Sequence, residues 1–222
     1  MSKIEEILEK LNDKIKIDES IKIVETIRGA SGIKRIPHNH INVLYLIKEL
    51  MGGDCKNYLE IGTLWGASMA TVLASQSPAK FYGLDLFTPY FADKIDVDTV
   101  NNTISNLNEY NHNIELIKGD CSHDEIIKLT YEKISDGVDL FFIDGDHSSN
   151  SVVRDFNNYK DIVNKGGYIV FDDYGFLDTV SNGVSRLDLS EFDIIGRINT
   201  GPSNSHLNES PTLNASYIIR KK

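Results

Sequence analysis

Near the amino terminus Ile4, Ile7, Leu8, Leu11 and Ile15 recur at helical spacing with Lys and Glu between them. This predicts an amphipathic helix serving as a packing arm or lid within residues 1–38, and it is also a candidate surface for a homodimer. After Gly29-Ala30-Ser31-Gly32, Pro37 punctuates the chain. Asn39 is then placed to cap a second helix that carries Val43, Leu44, Leu46 and Ile47 and runs to Gly52-Gly53. From Lys56 onward short runs rich in Ile, Val, Phe and Tyr alternate with longer helical patterns, as parallel βαβ units do.

The runs predict strands over 58–62, 81–86, 114–118, 138–143 and 168–171. Helices are predicted over 68–75, 97–110, 124–134 and 151–164, the last closed by Gly166-Gly167. A further helix over 179–187 leads to strands over 192–198 and 215–220, joined by a long polar loop and read as a hairpin. The expected fold class is α/β: a doubly wound, Rossmann-like sheet of seven strands, mostly parallel with a C-terminal antiparallel hairpin, occupying 39–222 as one catalytic domain.

Composition narrows the field. There is no apolar run near the ~18 residues that span a bilayer and no charged-then-apolar leader at Met1, so no membrane association and a cytoplasmic location are expected. Cys55 and Cys121 are the only cysteines and lack CxxC spacing, which fits a reducing compartment. With 33 acidic against 23 basic residues the formal net charge is −10. No basic stripe is visible, so no nucleic-acid partner is expected, and a small neutral or cationic ligand suits the balance better.

In open α/β sheets ligands lie beyond the carboxyl ends of the strands. Glu60 closes the first expected strand, Asp85 the second, Asp120 follows the third, Asp144 ends the fourth and Asp172-Asp173 end the fifth. Any one of these acids reads equally well as a cap for the following helix; the full series points to a crevice. The segment from Glu60 to Ser68 brings Gly62, Thr63, Trp65 and Gly66 to a turn before a helix, a place for close backbone approach to an anionic group. The third glycine of a nicotinamide GxGxxG loop is absent. Asp85 lies about 20 residues further on, where a carboxylate accepts ribose hydroxyls.

On these residues the chain resembles the class I S-adenosylmethionine-dependent methyltransferases, whose first strand ends in the E-x-G-x-x-x-G-x-S pattern seen at Glu60, Gly62, Gly66 and Ser68. The resemblance implies S-adenosylmethionine as cofactor, with Gly62 and Ser68 near its methionine part, Asp85 at the ribose and Asp120, Cys121 and Ser122 at the adenine. Glu60, Thr63, Trp65, Leu86 and Asp144 complete the implied cofactor contacts. More narrowly, Asp144-Gly145-Asp146-His147 followed by Asp172-Asp173 is similar to the metal-dependent O-methyltransferases of the macrocin and novobiocin type. That likeness implies a divalent cation, Mg²⁺, on Asp144, Asp172 and Asp173, with a small-molecule hydroxyl as substrate. Hard-cation chemistry agrees, since Mg²⁺ takes a few carboxylates and waters and leaves places for substrate oxygens.

Asp146 and His147 are the candidate bases, with His147 favoured because imidazole titrates near working pH. Trp65 is expected either to shield the sulfonium or to pack, and the aromatic stretch 87–91 either to roof the substrate or to form a satellite cluster. His38, His40, His112, His123 and His206 show no mutual ligand spacing. Three rivals remain: a nicotinamide-dependent oxidoreductase, a cephalosporin-hydroxylase-like protein on the same sheet, and a non-catalytic nucleoside-binding module.

Overall fold

The computed structural model describes residues 3–33, 41–77, 79–88, 95–199 and 215–222. Its strands are β1 Asn57–Ile61, β2 Lys80–Asp85, β3 Asn113–Lys118, β4 Val138–Ile143, β5 Val163–Tyr174, β6 Phe192–Ile198 and β7 Ala215–Lys221. They form one seven-stranded sheet in the order β3-β2-β1-β4-β5-β7-β6. The first five run parallel, and β7 lies antiparallel between β5 and β6. The expected doubly wound sheet and its C-terminal hairpin are both present.

Alternation along the strands divides the core between two faces, because successive side chains point to opposite sides of a sheet. Tyr58, Phe81, Leu140 and Phe142 face a layer made by α1 (Lys3–Leu11), α2 (Lys14–Arg28), α3 (Asn42–Met51), α4 (Ala67–Leu73) and α5 (Val97–Asn106). Leu59, Tyr82, Phe141 and Ile143 face the layer of α6 (Asp124–Lys133), α7 (Ser149–Tyr159) and α8 (Asp178–Ser185). β1 and β4 are buried along their whole length, as parallel strands covered on both faces must be. The amino-terminal segment joins this packing: Ile7, Leu11 and Val24 are buried in the first layer.

Three local expectations need correction. The helix through Ile15 is broken, because the Asp13 carboxylate accepts from the amides of Ile15 and Lys16 and so caps a second helix, leaving Ile15 71% exposed. α5 stops at Asn106 rather than at 110; the Asn108 side chain then bonds the backbone of His112 and closes a turn. Most instructively, α7 ends at Tyr159, a short 3₁₀ turn follows at Lys160–Ile162, and Gly166-Gly167 fall inside β5. There Gly166 adopts φ +84°, and the β4 register shifts between Val138 and Leu140, so this glycine pair makes a bulge rather than a helix stop.

Candidate active site

The chain leaves β1 outward to β2 and β3, then returns to β4 on the other side, so strand order reverses between β1 and β4. A crevice opens at such a point. Backbone bonds carry the ladder one residue past each strand: Gly62 N–H to Leu84 O, Asp144 N–H to Ile61 O and Gly119 N–H to Asp85 O, all at 2.9 Å. These bonds align the ends of β1 to β4 on one edge. A single cavity of about 870 Å³ runs along it.

The first turn is built for close approach. Gly62 has φ +94°, and a Cβ there would stand 1.9 Å from the Asp144 carbonyl oxygen, so only glycine lets β1 and β4 end side by side. Leu64 and Phe87, neither of them glycine, are held at φ 46° and 45°. Their backbone amides donate to the two oxygens of Asp85, at 2.9 Å from Leu64 and 2.7 Å from Phe87. Such conformations cost about 1 kcal/mol or more each and persist where surroundings fix them. Here they hold the Asp85 carboxylate in one orientation, with lone pairs left on both oxygens.

Gly62, Thr63, Trp65, Ser68, Asp85 and Leu86 all line the cavity, as do Asp120 and Cys121. Trp65 is only 2% exposed and packs in the first core layer, so its contact with the cavity is an edge. Ser122 lies beside the wall and donates both its amide and its hydroxyl to Asp120 Oδ1. Glu60 does not line the cavity. It is buried beneath the floor, where Oε2 accepts from Tyr58 Oη at 2.7 Å and Ser68 Oγ at 2.9 Å. Burial pushes its pKa up to about 7. Glu60 Oε1 and Thr63 Oγ1 are also buried, without a hydrogen bond of full geometry among the described residues, and the Thr63 hydroxyl joins Tyr58 and Ser68 in favouring the ionised form of Glu60 against that burial.

Past β4 and β5 the remaining acids gather. Asp144, Asp146, His147, Asp172 and Asp173 line the same cavity as Asp85. His147 Nε2 is 3.0 Å from Asp144 Oδ1 and 3.7 Å from Asp173 Oδ2. Donor atoms of Asp144, His147 and Asp172 all lie within 4.8 Å of one another, a spacing that suits a metal ion. A quarter of the Asp144 side chain is exposed, and it lines the cavity. Desolvation and then the charges of Asp172 and Asp173 raise its pKa well above the carboxylate range.

Asp146 is different. Oδ1 accepts the Ser148 amide and Oδ2 the Ser151 hydroxyl, both at 2.9 Å, at the start of α7. Those bonds hold its pKa low. Ser148, not His147, is the N-cap of α7.

Arg154, Ile41, Ile95 and Thr179 also line the cavity and were not expected from the sequence. Arg154 had one usable signal, its place on the same helix as the 146–148 turn; the rest are ordinary residues until the chain folds. His112 and His123 lie off the crevice, whereas Asn39, His38, His40, His206 and the loop residues 89–94 and 200–214 lie outside the described residues. Among the described residues no helix is long and apolar enough to cross a membrane.

A reversed parallel sheet whose strand ends bring Asp85 and a cluster of carboxylates to one cavity defines an α/β protein with its candidate ligand crevice at the switch in strand order. Residues 59–174 match the family model described as a methyltransferase domain, and the chain belongs to that family. An uncharacterized protein of Acanthamoeba polyphaga mimivirus is 36% identical over 137 residues, 62% of this chain. The match spans about 60% of that relative's length.

Among solved structures, an O-methyltransferase from Bacillus cereus in complex with SAH superposes with TM-score 0.56 at 14% identity, covering 93% of this chain and 90% of that one. TomG from Streptomyces achromogenes, an O-methyltransferase involved in tomaymycin synthesis, in complex with SAM, gives TM-score 0.56 at 13% identity, with 93% and 89% covered. An rRNA methylase from Streptococcus thermophilus gives TM-score 0.56 at 15% identity, with 85% and 98% covered. At such identities the likeness is one of fold.

Proposed function

We propose that the protein transfers a methyl group from S-adenosylmethionine to a hydroxyl of a small molecule, with a divalent cation at the acid cluster. One observation carries the reading: Asp85 and the group Asp144, His147, Asp172 and Asp173, far apart in sequence, line one cavity. Bound S-adenosylmethionine supplies an electrophilic methyl carbon on a sulfonium. The residues fit it: Asp85 keeps lone pairs for two ribose hydroxyls in the cavity that Gly62, Thr63 and Ser68 also line. A divalent cation supplies charge that favours the alkoxide form of an acceptor oxygen.

Asp144 and Asp172 are the oxygen donors that would hold the cation, with Asp173, the third expected from the sequence, beside them but outside the group whose donor atoms lie within 4.8 Å of one another; oxygen donors suit Mg²⁺. The carboxylate crowding that raises Asp144 is then relieved. Of the two candidate bases, His147 is the better placed. Asp146 is tied to the start of α7, and its lowered pKa makes it a weak acceptor. With Asp144 ionised, His147 Nε2 carries the proton donated across 3.0 Å, which leaves Nδ1 as the lone pair that takes the acceptor's proton. Asp144 then orients the imidazole.

The acceptor is small and not RNA on this reading, because the lining carries many carboxylates and Arg154 is its single Arg or Lys among the described residues. Calorimetry with S-adenosylhomocysteine, with and without Mg²⁺, on the wild type and on Asp172→Asn tests the proposal. The expected result is cofactor binding largely independent of metal, and metal binding weakened at least about tenfold by the substitution. A wild type that binds neither would refute it.

A further inference from the structure

We infer that Arg154, held in place by Asp155, reads the nucleobase end of the bound nucleoside; the inference rests on the nucleoside site proposed above. The strand order supplies the direction. With ribose at Asp85 on β2 and the transfer chemistry over β4 and β5, the base extends the other way, over the end of β3. There the wall is Gly119, Asp120 and Cys121, and the cationic side chain that joins it is Arg154, from α7.

Neighbouring helical residues diverge by about 100° and do not ordinarily meet. Yet Arg154 Nε and Nη2 both lie 3.1 Å from Oδ1 of Asp155, the next residue along. The guanidinium is therefore folded back over its own helix and not extended into solvent, although 40% of its side chain is exposed.

What draws it in is a carboxylate with no exposure at all. Asp155 Oδ1 also faces Cys121 Sγ at 3.4 Å, while Oδ2 has no partner among the described residues and lies beneath Gly145, where a Cβ would stand 3.4 Å away. A buried charge so incompletely satisfied costs stability, and a hydrophobic residue would suit packing better. Its effect is to fix a planar cation, by one edge, beside Cys121. The remaining edge and the face of the guanidinium are then available to a purine, whose ring stacks on the plane and whose ring nitrogens accept from the N–H groups. An ammonium cannot do both. Asp155 is thus a positioning residue and Arg154 the contact.

The test measures binding of S-adenosylhomocysteine and of adenosine by calorimetry to the wild type, Arg154→Ala, Arg154→Lys and Asp155→Asn, with thermal unfolding of each ligand-free protein alongside. Arg154→Ala is expected to weaken both ligands by the same factor, about tenfold, at a temperature where every variant is folded, and to lower the midpoint of unfolding because Asp155 is left buried without its cation. Arg154→Lys is expected to behave like Arg154→Ala, and Asp155→Asn to lose most of the same factor. Affinity within twofold of wild type for Arg154→Ala, or restoration by lysine, overturns the inference while leaving the nucleoside site standing. A wild type that binds neither ligand overturns both.

Discussion

Glu60 gives the most exacting check on the electrostatics of the crevice floor. Its carboxyl is fully buried, and desolvation pushes its pKa from 4.5 to about 7 against the opposing interactions with Tyr58, Ser68 and Thr63. Between those two values the native chain keeps a proton that the unfolded chain has released. Stability therefore falls as pH rises through the window, and the loss is complete above about pH 7. The span of the shift corresponds to about 3 kcal/mol, to order of magnitude.

Glu60→Gln removes the titration but keeps an oxygen for Tyr58 and Ser68, and it presents an amide where Oε1 has no partner. Urea unfolding of both proteins from pH 4.5 to 8 should show the variant gaining on the wild type by about 3 kcal/mol across the window. Asp144, raised in the same direction, is present in both proteins and drops out of the difference apart from the part of its shift that the Glu60 charge contributes, smaller than those from burial, Asp172 and Asp173. Parallel stability curves would show that Glu60 does not carry the proton and would remove the argument.

Two further outcomes are expected. Gly62→Ala combines a left-handed backbone with a Cβ 1.9 Å from the Asp144 carbonyl, whereas Gly196→Ala, at φ +99° with nothing within 4 Å, carries the backbone strain alone. The first should cost about 3 kcal/mol and roughly 10 °C in Tm, the second about 1 kcal/mol and a few degrees; equal shifts would contradict the packing argument. His112 is neutral in the fold, accepting the Ala79 amide at Nδ1 and donating from Nε2 to Ser75 O, and burial lowers its pKa below 6.5. The stability it contributes is present above pH 6.5 and lost as pH falls, so His112→Gln should flatten the acid limb of the unfolding profile, opposite in slope to Glu60.

The strands were legible because each is a compact apolar run, and six of the seven lie within a residue or so of expectation; only β5 extends further, through its glycine bulge. Gly166-Gly167 misleads because a glycine pair after an amphipathic run satisfies a helix stop and a bulge equally, and the β4 register decides between them. Glu60 was legible in identity but not in depth. Its parity with Tyr58 puts both on the face toward α4, so Glu60 faces the Ser68 hydroxyl and not the crevice. The inward fold of Arg154 was not legible, since it depends on Asp155 being buried against Cys121, which comes from the turn after β3 and not from α7.

The short element Asp144-Gly145-Asp146 shows why the site needs the fold as well as the motif. Two identical side chains, two residues apart, end in opposite electrostatic settings. Asp146 turns toward the start of α7, takes an amide and a hydroxyl, sits near Arg154, and stays ionised at low cost. Asp144 turns toward Asp172, Asp173 and Glu60 and resists ionisation. Gly145 makes the divergence possible by leaving room between Ile61 and Asp155, where any Cβ would be tightly held. Environments that drive like groups apart in this way divide roles between them. Here the division gives one carboxylate to the helix and leaves the other in need of positive charge, the place that the proposed cation would take.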